Sequence, residues 1–113
     1  MASTPAERLY VVYEAYSQAY ARRAQDWKDA KTKAQADTIF KNVESLEALY
    51  LKAAKQALDT NAQAVENAFE AAKAAQKEVN DAYEEAKGIA DKIKLVGSVV
   101  SKVGDLINKA GGK

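Results

Sequence analysis

Between Val65 and Ala110 the apolar residues fall into two columns seven residues apart, and this regularity constrains the chain more than any other feature. One column is Val65, Ala72, Val79, Ala86, Ile93, Val100 and Ile107; the other is Ala68, Ala75, Ala82, Ile89, Val96, Val103 and Ala110. Steps of three and four put both columns on one side of a helix, whereas a strand would need alternation by twos. No Asn-Gly or Asp-Gly hairpin signal occurs in the sequence, so the fold class is all-α.

The first half carries the same spacing. Thr4-Pro5-Ala6-Glu7 starts a helix, with Thr4 as cap, Pro5 at the first helical position and Glu7 closing a capping box. From there Leu9, Tyr13, Tyr16, Tyr20, Trp27, Ala30 and Ala34 form a seam, with Arg23 its one polar member. The seam resumes after Asp37-Thr38 through Ile39, Val43, Leu46, Tyr50, Ala53 and Ala57. Tyr13, Tyr16, Tyr20 and Trp27 are therefore expected to pack inside, and Tyr10 to face out. Asp59-Thr60-Asn61 is the clearest turn, because Thr60 and Gln63 offer a second capping box and the apolar phase slips there.

These features predict a single helical domain over residues 1–113: a long antiparallel hairpin with an Ala-rich coiled-coil seam. Its first helix runs over 5–58 with a kink near 37, its turn over 59–61, and its second helix over 62–110 with a weak point near Gly88. Each arm would be about 75–80 Å long, fraying at the C-terminus over Ala110-Gly111-Gly112-Lys113. Folded at Thr60, the arms would oppose Tyr13 to Ile107 and Leu46 to Ala75. The alternative is a compact three- or four-helix bundle with further turns near Asp37 and Gly88. Small secreted hairpins of the WXG type carry Trp-x-Gly in their turn; here the turn is Asp59-Thr60-Asn61 and the only tryptophan is Trp27, so no family is assigned.

Composition narrows the chemistry. There is no Cys and no His, which removes thiolate and imidazole ligands, the usual general base and the usual partner of a nucleophilic serine. No catalytic residue, cofactor, metal or small-molecule substrate is expected. The acidic group Glu78, Asp81, Glu84 and Glu85 has no His for the Glu-x-x-His pairs of di-metal bundles. A net charge of +1, with acidic residues interleaved among the basic ones, argues against a nucleic-acid partner. Met1-Ala2-Ser3-Thr4-Pro5 lacks the regions of a secretory signal, and the sequence has no apolar run of about 18 residues. The expected location is cytoplasmic, or exported without a cleavable signal.

One segment has more apolar surface than a two-helix seam can use. Within Gly88 to Ala110, Leu95, Val99 and Leu106 widen the face formed by Ile93, Val96, Val100, Val103 and Ile107. These eight residues are the expected interaction surface, for a second copy or a partner helix. The alternative occupant is a membrane surface, with Lys92, Lys94, Lys102 and Lys109 contacting anionic lipid. Gly97 and Gly104 would permit close approach of a helix. In the hairpin, charge would collect as about +5 at the open end and −4 at the turn.

Overall fold

The computed structural model describes residues 2–111, and every regular element in them is helical. There are four helices: α1 (Pro5–Asp29), α2 (Lys33–Ala54), α3 (Gln63–Glu84) and α4 (Ile89–Gly111). The all-α class holds, in the compact form: the longest dimension is 43 Å, so the 75–80 Å rod does not form. Each expected arm is folded back on itself, giving the chain four apolar stripes to bury against one another.

Local chemistry explains where the arms break. Helix α1 begins as expected, with Thr4 Oγ1 accepting from Glu7 N and the Glu7 carboxylate accepting from Thr4 N. It stops at Ala30, which is extended, and Thr32 starts α2 by accepting from Gln35 N at 3.1 Å. The Gln35 side chain in turn accepts from Lys31 N at 2.7 Å. This is a capping arrangement, Thr-x-x-Gln, five residues before the expected kink at Asp37. In the second arm, α3 ends at Glu84, and Ala86, two residues beyond, has a left-handed φ of 54°. Lys87 N donates to Ala82 O and Ala86 N to Tyr83 O, the paired bonds of a Schellman motif, here without its usual glycine. Gly88 follows and accepts from Lys92 N at the start of α4. The Thr60–Gln63 capping box does not form: the cap of α3 is Ala62, with no side-chain bond.

Around the bundle the order is α1, α2, α4, α3; α1 also touches α4 across the middle, while α2 and α3 do not meet. Helices α1 and α2 are antiparallel, with Tyr13 beside Tyr50 and Trp27 beside Phe40. Helices α2 and α4 run parallel, since Asn42 meets Ile93 and Lys52 meets Asn108. The core is formed by Val12, Leu46, Val65, Ala72, Val99, Val103, Leu106 and Ile107, with smaller alanines between them. On α3, both predicted columns are buried from Val65 to Ala82.

Residues 55–62 cross one end of the bundle, and a buried arginine holds them there. Arg8 is fully enclosed. Its Nε donates to Ser3 Oγ, Nη1 to the carbonyls of Leu58 and Thr60, and Nη2 to Ser3 O, Asn61 Oδ1 and Glu66 Oε2. Every N–H of the guanidinium is thus directed at an acceptor, the condition under which a buried charge is tolerated. Thr60 N donates to Ala110 O, and Leu58 packs into the core beneath.

Candidate interaction surface

The face expected to be left for a partner is largely covered from within. Val99, Val103, Leu106 and Ile107 are all at or below 1% exposure. Ile93, Leu95, Val96 and Val100 are half-buried, the last three against the core cluster. The expectation of an open ridge is therefore corrected: α4 has α2, α3 and α1 as neighbours, where the hairpin gave it one. Nor do the glycines serve close packing. A Cβ on Gly97 would meet nothing within 4 Å, and one on Gly104 only Leu49 Cδ2 at 3.9 Å.

The lysines do not form one array. Lys94 and Lys102 are exposed, Lys109 pairs with Asp105 at 3.2 Å, and Lys92 lies over the Tyr83 ring at 4.6 Å. The two ends of the expected rod are likewise dispersed, because residues 1–36 now include a turn at the opposite end of the bundle from residues 55–62.

The exposed apolar surface lies elsewhere, on the α1–α2 hairpin. Trp27 is 61% exposed, Phe40 59%, Tyr10 61% and Leu51 51%, with Tyr13 and Tyr20 also open. The rings among them pack in two groups along this strip. Tyr13 packs on Tyr50 with ring centroids 5.4 Å apart, Tyr16 stacks on Tyr50 at 5.7 Å and touches Tyr20 at 5.9 Å, and Trp27 lies 6.4 Å from Phe40. Arg23, the polar member of the column, places its guanidinium 3.5 Å from the centre of the Tyr20 ring and donates to Tyr20 O. Partial burial, with the charge of Glu47 beside it, raises the Tyr16 hydroxyl above its ordinary pKa. The expectation that Tyr13, Tyr20 and Trp27 are core is corrected too. Their column faces α2, as its spacing implies, but the outer edge of a two-helix seam has nothing above it.

A second polar group lies inside the bundle, at the end where α1 turns into α2. Asp26 is buried and accepts from the Tyr83 hydroxyl, while Arg22 stacks its guanidinium 4.1 Å from the centre of the same ring. Asp26 Oδ1 and Arg22 Nη1 are buried without protein partners. Both line a cavity of about 20 Å³, shared with Gln76, Asn42 and the apolar side chains of Val79 and Ile93; that is room for about one water molecule. Burial raises the Asp26 carboxyl above its usual range, against the opposing hydrogen bond from Tyr83. Desolvation, with the same hydrogen bond, pushes the Tyr83 phenol far up. The enclosed space is too small for an organic molecule.

Among the described residues no cluster of three or more acidic, His or Cys side chains could hold a metal ion, and no helix is long and apolar enough to cross a membrane. Lys77 and Asp81 of the acidic segment pair with each other at 2.9 Å. Compared with known proteins, the chain matches no family model, no characterised protein and no solved structure.

Proposed function

We propose that this is a non-enzymatic helical interaction protein, and that its docking surface is the aromatic strip of the α1–α2 hairpin. The observation that carries the reading is the joint exposure of Trp27, Phe40, Tyr13 and Tyr20 on the α1–α2 hairpin, in two groups of packed rings. Tyr, Trp and Arg are the residue types that concentrate binding energy when an interface closes over them. Scattered apolar residues on a surface need no explanation, but large exposed rings packed in groups on one hairpin do. The part-exposed Leu95 and Val96 of α4 offer far less, since most of that helix's apolar face is used in the core.

Trp27 is the only tryptophan, so its fluorescence reports on the strip. Dilute protein should emit as a water-exposed indole and be quenched by iodide. Raising the protein concentration, or adding amphipathic helical peptides, should shift the emission to the blue and protect it. Protection by anionic vesicles alone would replace the reading with a membrane-docking one. An indole that stays exposed under all of these conditions would overturn it.

A further inference from the structure

We infer that the end of the bundle where the α1–α2 and α3–α4 turns meet is a pH-sensitive latch, closed while the buried Asp26 carboxyl is neutral and opened locally to water when it ionises. The device is independent of what docks on the aromatic strip. The first argument is the imbalance between the two ends. At the far end Arg8 is enclosed, and every N–H of its guanidinium is directed at an acceptor. At the turn end Asp26 Oδ1 and Arg22 Nη1 are, among the described residues, the buried side-chain polar atoms left without a partner. A carboxylate kept from water with one oxygen unbonded is penalised far more than the neutral acid. The groups facing Asp26 oppose one another. From α1, Arg22 favours the ionised form and Asp29 the neutral one; from α3, the Tyr83 hydroxyl donates to Oδ2 and favours ionisation; from α4, Lys92 over the same ring favours it too. The only polar residue that α2 brings to the shared cavity is the uncharged Asn42. Burial outweighs the favourable neighbours and holds the carboxyl above its usual range.

The second argument is what can move. Both turns at this end are short, and the α3–α4 turn holds Ala86 in a left-handed conformation that an L-residue adopts at a cost. The cavity of about 20 Å³ lined by Asp26, Arg22 and Tyr83 leaves the packing there incomplete. Residues 55–62 at the far end are pinned instead, by Arg8 and by the bond from Thr60 N to Ala110 O. Opening therefore begins at the turn end, where parting Tyr83 from Asp26 lets water reach the carboxylate while the Arg8 end stays closed. The sign follows from the raised folded value. Below the ordinary carboxylate range the acid is neutral whether the latch is closed or open; the closed form loses ground as pH rises from that range to the raised value, and above it the loss is complete. The chain has no His, the residue that ordinarily titrates in the window above the carboxylates.

Native-state amide hydrogen exchange, followed residue by residue in a urea series from pH about 4 to about 7, reads the latch directly. After correction for intrinsic rates, protection over residues 22–29 and 83–92 should fall several-fold as pH rises, through an opening that depends only weakly on urea. Residues 65–72 should exchange by the global route, with its steep urea dependence. Asp26→Asn should abolish the fall. Tyr83→Phe keeps the ring between Arg22 and Lys92 but removes the donor to the carboxylate, so it should move the fall to higher pH. An absent fall in the native chain, the same fall in Asp26→Asn, or a Tyr83→Phe response unmoved or moved toward acid would overturn the latch. A fall as steep in urea at the turn end as over residues 65–72 would show that ionisation unfolds the whole bundle, and would overturn it equally.

Discussion

Arg8 and Asp26 are both buried ionisable side chains on α1, and they should respond oppositely to the same kind of substitution. Arg8 is saturated with acceptors from three segments of the chain, so removing it strands the Leu58 and Thr60 carbonyls and the Glu66 carboxylate. Arg8→Met should lower stability by about 3–5 kcal/mol, read as a reduced urea midpoint. Arg8→Lys should recover little of that, because an ammonium cannot span the fork. Bonds from Ser3 N and from Arg8 hold the Glu66 carboxyl below the usual carboxylate range. Its contribution is complete above that range and is lost as pH falls through the depressed folded value. Asp26 has the opposite sign. Its raised folded pKa means that the folded state binds the proton more readily, so stability falls as pH rises from the ordinary carboxylate range through the raised value. Asp26→Asn should therefore raise the thermal midpoint at neutral pH, with the gain shrinking toward acid. A loss at neutral pH would show that the carboxylate is compensated after all.

At the level of the helix, two small residues are each in the other's preferred setting. Ala86 holds a left-handed conformation that costs an L-residue about 1–2 kcal/mol. After the entropy lost by glycine, Ala86→Gly should gain about 0.5–1 kcal/mol. Gly97 sits inside α4 with open space where a Cβ would go, so Gly97→Ala should gain about 0.5–1 kcal/mol. Chemical denaturation measures both. The same positions explain how much of the fold was legible. The Thr4–Glu7 start and the columns of α3 read directly from the sequence, because caps and periodicity are local. The α1–α2 break was also written locally, as Thr32 and Gln35, but with no Gly or Pro beside it the helical spacing masks it. The end of α3 was legible as the weak point near Gly88, but not in its residue: the left-handed turn position is Ala86, two residues earlier. At Thr60 the local signal was present and was overridden, since the peptide there bonds to Arg8 and Ala110 across the end of the bundle.

For the molecule as a whole, periodicity identifies which side of a helix needs a neighbour, but not how many neighbours the chain can supply. Counting two helices left Leu95, Val99 and Leu106 uncovered; with four, Val99 and Leu106 are enclosed and Leu95 packs at the margin. The aromatic column of α1 failed in the reverse direction. Its spacing correctly placed it on a seam, yet α2 shields only one edge, leaving Trp27 and Tyr20 open. The sequence did hold a clue, in the excess of bulky rings in a half whose facing positions include Glu47 and Phe40. The most direct test of that exchange, outward strip for inward ridge, is iodide quenching of Trp27, the only tryptophan, in dilute native and urea-unfolded protein. The native indole should be quenched nearly as readily as the unfolded one. A native emission that is blue-shifted and shielded from iodide would contradict the assignment.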